Sequence, residues 1–162
     1  MSKQQLKERG FTIIEVVLVL AIAALIFLMV FVALPALQRS QRDMARKNDA
    51  DTIASAAQQI LSNNKGDASK VTTANIQSYI GSGNDSSLSN LSKDQITAQK
   101  YSNTVTVTAQ TLVENGGAIV VVGGKCGDSA TTSTITKGSS KSIVVAIGVE
   151  AGGTPVTYCV GS

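Results

Sequence analysis

The apolar positions fall into three successive patterns along the chain. From residue 16 to residue 37 the sequence is apolar with no polar interruption, a run as long as the roughly 20 residues a helix needs to cross the hydrocarbon core of a bilayer. Beyond it, Ala50, Ile53, Ala57, Ile60 and Leu61 recur at spacings of three and four, which places them on one side of a helix. The two patterns read as one continuous helix from Phe11 to about Asn64, roughly 80 Å long at 1.5 Å per residue. It is apolar all round in its first half and amphipathic in its second, so the second half is expected to carry a globular domain on one side. Asn63-Asn64-Lys65-Gly66-Asp67 ends it, with Gly66 as a left-handed cap.

Residues 67–103 are polar and rich in Ser, Asn and Gly, with short periodic pieces at 74–80 and 92–99. Ser92 and Gln95 have the spacing of a capping box, which predicts a brief helix. Asn84-Asp85 lacks the regular acidic ligands of a calcium loop. After Tyr101 the period changes to two. Residues 104–108 alternate Thr and Val, and 118–122, 142–147 and 155–160 are further β-branched runs, each of which reads as a strand. Asn115-Gly116-Gly117 is expected to join the first pair as a hairpin and Gly152-Gly153 the last pair. The expected fold class is α+β: a long N-terminal helix packed on an antiparallel sheet of about four strands. The corresponding segments are 1–10, 11–37, 38–64, 65–103 and 104–162.

Charge changes the reading of the first segment. Glu15 stands at the head of the apolar run, five residues beyond a leader that carries Lys3, Lys7 and Arg9 against Glu8. The positive flank is expected to hold that end in the cytoplasm and to direct the apolar segment outward. A carboxylate within a membrane segment costs a few kcal/mol and normally has a partner; the alternative is that Glu15 sits at headgroup level and snorkels out. A secretory signal peptide places its small residue after the apolar region, whereas Gly10 precedes it. Cleavage at Gly10 would leave the apolar segment attached.

Arg9-Gly10-Phe11-Thr12-Ile13-Ile14-Glu15 and the apolar run after it resemble the type IV prepilins, a family that also holds competence pilins and the pseudopilins of type II secretion. The resemblance covers about a quarter of the chain. It implies a leader removed after Gly10 by a prepilin peptidase, N-methylation of the new terminal Phe11 by the same peptidase/methyltransferase, a single-pass stay among membrane lipid, and export by a pilus assembly machinery into a homo-oligomeric helical filament outside the cell. It also implies a role for Glu15, as counter-charge to the amino terminus of a neighbouring subunit. Two desolvated opposite charges relieve one another, and their attraction grows as the dielectric falls, so the pair sets the register between subunits. The chain departs from the family's pattern in that Pro35 stands about a turn later than the usual bending proline, and Ala21-Ile22-Ala23-Ala24 replaces a common mid-segment glycine. Pro35 is expected to kink the helix over 32–34; the alternative is that it ends the membrane segment.

Cys126 and Cys159 form an even pair in a domain expected outside the cell, which favours a disulfide worth roughly 4 kcal/mol in the chain-entropy picture; two separate thiols are the alternative. Many pilins close a C-terminal loop in this way, so the resemblance agrees. Segment 127–140 between them would then be the exposed, adaptable surface of the subunit. The helix continuation carries Arg39, Arg42, Arg46 and Lys47 among Asp43, Asp49 and Asp51, read either as a solvated face or as contacts between subunits. With no His and no Trp, and no Ser beside a recognisable base, the chain reads as a structural protein and not an enzyme, with neither cofactor nor metal: a pilus subunit, with a minor pilin or pseudopilin, or a signal-anchored surface domain that binds a ligand and has no use for Glu15, as the alternatives. The net charge is +3, of which the leader supplies +2. A mature part near +1 is too weak to predict nucleic-acid binding, and Lys125, Lys137 and Lys141 form at most a small basic patch for DNA.

Overall fold

A computed structural model describes residues 10–81, 88–128 and 130–161. Leader residues 1–9 and the Asn84-Asp85 loop lie outside the described residues. The chain divides into two compact units, Met1–Leu37 and Gln38–Ser162. Helix α1, Ile13–Asn63, enters both. It includes Pro35, so that proline does not end the helix.

In the second unit, α1 is followed by a 3-10 turn at Ala68–Lys70, α2 (Thr73–Ile80), a 3-10 turn at Lys93–Gln95, β1 (Ile96–Lys100), β2 (Val105–Thr108), α3 (Ala109–Asn115), β3 (Ala118–Val122), β4 (Gly124–Lys125), β5 (Thr132–Lys137), β6 (Ile143–Val149) and β7 (Val156–Gly161). The class is α+β, a long helix packed on a sheet. The brief helix expected at Ser92 is a single 3-10 turn, and Ser92 makes no side-chain cap bond. The chain then extends into β1.

The sheet runs β1-β3-β6-β7, and a second sheet runs β2-β5-β4. In the first, the pairs β3–β6 and β6–β7 are antiparallel, but β1 pairs with β3 in parallel, Ile96 facing Ala118 and Lys100 facing Val122. A parallel pair needs a crossover, and β2 with α3 supplies it. This corrects the expected hairpin at Asn115-Gly116-Gly117. Residues 104–108 do not pair with 118–122; β2 pairs with β5, and the glycines close α3, Gly116 taking φ 60° while the Gly117 amide donates to the Leu112 carbonyl at 3.1 Å. A left-handed glycine after a helix satisfies carbonyls the helix leaves open, and the same dipeptide serves either purpose. The later turn holds, since β6 and β7 are antiparallel neighbours on either side of Gly152-Gly153.

Segment 127–140 is likewise not wholly exposed. It contains β5, whose Ser133 and Ile135 are buried while Thr132, Thr134 and Thr136 face out. The reason is that the first sheet is covered on both faces. Val120, Val122, Ile143, Val145 and Ile147 pack with Ala50, Ile53, Ala57, Ile60 and Leu61 of α1. The alternate positions Val121, Val144 and Ala146 pack with Val107 and Ile135 of the second sheet and Leu112 of α3. All seven residues of β6 are therefore buried, and a strand covered on both sides loses its polar alternation. Burying each Ile or Val stabilises the fold by about 1.5–3 kcal/mol against leaving it exposed.

The amphipathic half of α1 ends as its sequence predicts. Lys65 (φ 56°) and Gly66 (φ 83°) are left-handed, and the Gly66 amide donates to the Leu61 carbonyl at 2.7 Å. The polar side of this half is neither simply solvated nor simply free. Arg42 pairs with Glu150 at 3.0 Å, and Arg46 lies 3.7 Å from the same carboxylate and donates to the Gly148 and Val113 carbonyls. Asp43 accepts the Glu150 amide at 2.7 Å. Buried Asp49 accepts the amides of Ser89, Asn90 and Leu91 at 2.9, 2.6 and 2.9 Å. Lys47 stands 5.0 Å from the ring centre of Tyr158. Arg39 and Asp51 stay exposed.

Cys126 and Cys159 are joined in a disulfide, with Cα atoms 5.8 Å apart. The bond links the residue after β4 to β7, and so one sheet to the other.

Candidate N-terminal processing and assembly segment

Gly10, Phe11 and Thr12 precede the first helical residue, Ile13, in irregular backbone. Gly10 is exposed, and a Cβ added to it would meet nothing within 4 Å. Its φ lies outside the left-handed range, so the fold itself makes no demand for glycine here. A requirement for glycine at this place has to come from a molecule outside the subunit. Phe11 is 86% exposed. Both sides of the 10–11 peptide are therefore exposed.

Four residues on, Glu15 occupies the first turn of α1. Its Oε2 accepts the Thr12 amide at 3.2 Å and the Thr12 hydroxyl at 3.1 Å, and the Glu15 amide donates to the Thr12 carbonyl at 3.1 Å. A Glu at the third helical position that reaches back to the cap amide is one half of a capping box, and a carboxylate at this end also complements the helix dipole. The spacing Thr-x-x-Glu carries this signal in the sequence, although the acid draws attention first to its membrane setting. Glu15 thus has a local partner in the subunit, one that engages a single oxygen.

From Phe11 to Leu37 every large apolar side chain is exposed, Met29 and Phe31 at 77% and Val32 at 76%. None of the most apolar stretch of this helix is buried within the subunit. An apolar surface this extensive marks a site for lipid or for other protein. Among the described residues no group of three His, Cys, Asp or Glu is placed to hold a metal ion.

Residues 5–31 match the family described as the prokaryotic N-terminal methylation motif. This is the type IV prepilin-type signature. The match runs from residue 5 into the apolar helix, so it contains Gly10, Phe11, Thr12 and Glu15. It supports a type IV pilin-like or pseudopilin protein, a structural kind of protein, and it implies processing by a prepilin peptidase and assembly into pili. With the apolar helix it fits a membrane-anchored precursor that becomes a pilus component. No curated protein and no solved structure matches the chain.

Proposed function

We propose that the chain is the repeating structural subunit of a type IV pilus, cut after Gly10, methylated at Phe11 and polymerised through the apolar half of α1. The observation that carries this reading is the conjunction at one end of the chain of an open 10–11 peptide, an acid at the helix head and a helix with no cover of its own. Lipid can cover that helix before assembly, and the same half of neighbouring subunits can cover it afterwards. Adhesion, twitching movement and DNA uptake are outcomes at the level of the organism that such a filament serves.

The assembly step rests on charge. Cutting the 10–11 bond leaves a cationic amine on Phe11, one residue before Thr12 and four before Glu15. In water-poor surroundings both charges are costly alone and attract strongly when paired. Glu15 engages Thr12 through Oε2, which leaves Oε1 for the amine of a neighbour. A partner amine then fixes the axial offset of one subunit on the next. Pro35 removes one helical hydrogen bond and gives the bundle a place where the helix bends to track its neighbours. The disulfide keeps the second sheet on the first through export.

A minor pilin or pseudopilin of a competence or type II secretion filament is the second reading, favoured by the same N-terminal motif, which those proteins share with pilins. Two measurements test the proposal. Mass spectrometry of surface filaments is expected to show a chain that begins at N-methylated Phe11; an intact leader on assembled protein overturns the processing step. Glu15→Ala is expected to leave membrane insertion intact and to abolish filaments when it is the sole copy. Filaments at normal yield would sink the pairing. The abundance of the chain in sheared filaments separates the two readings: a main component is the repeating subunit, a trace component the minor one.

A further inference from the structure

The charges of the globular unit are nearly balanced in number and unevenly deployed in space. Several carboxylates are occupied by internal donors: Asp43 by the Glu150 amide, Asp49 by three amides, Glu150 by two arginines, Asp67 by the amide and hydroxyl of Ser69. Among the described residues both ion pairs belong to arginines and none to a lysine. Six lysines remain exposed, at 65, 70, 100, 125, 137 and 141, and the topology brings them to one end of the unit.

Their placement can be traced contact by contact. Lys65 leaves α1. The Lys141 Cε and Nζ lie 3.1 and 3.2 Å from where a Cβ on Gly66 would stand. Lys70 closes the turn after Asp67, and Asp67 lies within electrostatic reach of both Lys70 and Lys100. Lys100 ends β1 opposite Val122, the last residue of β3. The next residue, Gly123, donates its amide to the Ser142 carbonyl at 2.7 Å and accepts the Gly138 amide at 2.9 Å. Beside it, Gly124 of β4 faces Lys137 of β5, and Lys125 faces Thr136. The end of α1, the end of β1 and the turn from β5 to β6 are thus linked, and the lysines stand on these segments or beside them.

We propose that this lysine-rich end binds an acidic polysaccharide, a polymer of carboxylate-bearing sugars. Lysines that outnumber the Asp67 carboxylate among them raise the local potential and attract a polyanion even where the net charge of the chain is small. The residues between the lysines suit a sugar: Ser69 precedes Lys70, Thr136 precedes Lys137, Ser139 and Ser140 precede Lys141, and all four hydroxyl residues are exposed. Hydroxyls both donate and accept, as sugar hydroxyls do. Nucleic acid fits less well. The arginine fork that grips phosphate in two places is missing from this end, because Arg39, Arg42 and Arg46 all lie on the first turns of α1 beyond residue 37. Bases need rows of aromatic platforms, whereas the exposed lysines have only Tyr79, about half exposed, and half-buried Tyr101 in the segments beside them.

The test uses the full chain in neutral detergent over immobilised alginate, a polyuronate, with dextran as the uncharged polymer and poly(dT) as the nucleic acid. Retention on alginate at low salt is expected, with affinity falling as salt rises, because bound lysines displace counterions. Lys70→Gln, Lys100→Gln and Lys137→Gln together are expected to weaken binding roughly 10-fold or more and to flatten the salt dependence. Arg39→Gln, which removes a unit of charge at the other end of the same unit, is expected to change it less than about twofold. Circular dichroism on heating checks that the triple variant folds; should it not, single Lys100→Gln and Lys137→Gln variants are each expected to lose about two- to threefold. No retention on alginate, equal retention on dextran, an unaffected lysine variant, or an equal loss with Arg39→Gln overturns the proposal. Tighter binding to poly(dT) than to alginate at equal salt replaces the sugar with nucleic acid.

Discussion

Asp49 shows what a single buried carboxylate does in this fold. Three consecutive amides, at 89, 90 and 91, converge on its two oxygens, so the segment that leads into β1 is fastened to α1 by one side chain. Asp49→Ala leaves those amides without an acceptor, and unsatisfied buried donors cost about 1–3 kcal/mol each before relaxation and water entry. A loss of roughly 2–4 kcal/mol in urea unfolding is expected, with faster amide exchange at 89–91; exchange unchanged there would refute the role. Asp67 gives a pH dependence with a definite sign. Hydrogen bonds from the Ser69 hydroxyl and amide hold its carboxyl below the ordinary carboxylate value. The cap is therefore fully present above the unfolded value of about 3.9 and is lost as pH falls through the lower folded value. The Ser69 amide resonance is expected to titrate below that of a free aspartate; a midpoint at the ordinary value counts against the bond. Neither role can be read from composition, because an Asp in a polar stretch looks the same whether water or backbone surrounds it.

Among the elements, β6 and α3 depend on a small residue. A Cβ on Gly148 would come within 2.5 Å of the Ala109 carbonyl oxygen and 2.8 Å of the Val113 nitrogen, both backbone atoms of α3. Gly148→Ala is expected to push α3 off the strand and to lower stability by about 1–3 kcal/mol, measured by denaturant unfolding; an unchanged midpoint would mean that α3 gives way freely. The disulfide acts between elements. Replacing both Cys126 and Cys159 by Ser is expected to cost up to about 4 kcal/mol, with exchange rising more in β2, β5 and β4 than in β1, β3 and β6, since the bond holds the second sheet to β7. Uniform loosening would show that the two sheets fold as one. At this scale the sequence was legible where a period was long and unbroken: α1, its Gly66 terminus, the final hairpin and the strand at 118–122. It misled where one dipeptide has two uses, as at Asn115-Gly116, and where β5 carries a single apolar residue, Ile135, among Thr, Ser and Lys.

At the largest scale the chain has an apolar helical half whose large side chains are exposed among the described residues, and a layered domain packed on both faces of its sheet. Removing Pro35 tests how far the helix must adapt. Pro35→Ala restores a backbone donor and is expected to stiffen the helix while leaving the leader cut intact, so the yield of filaments falls and that of mature subunit does not. Normal yield of both would show that bending there serves no purpose in assembly. The N-terminal motif is visible in the sequence, because Gly10, Phe11 and Glu15 are recognised by the chain next to them and by their distance from a run of apolar residues; their proposed roles rest on the measurements above. Only the capping bond from Thr12 is masked, its spacing being overshadowed by the membrane setting of the acid.

Local order in the chain determined the helix, its apolar half, the acid at its head and the open glycine before it, since each of these rests on neighbours within a turn or two. Tertiary structure decided the rest. It set β1 parallel to β3, placed a second sheet over the first, spent Arg42, Arg46 and Asp49 within the subunit and brought six lysines to one end. Those outcomes depend on which distant segments bury one another's apolar faces, and periodicity carries no record of the partner.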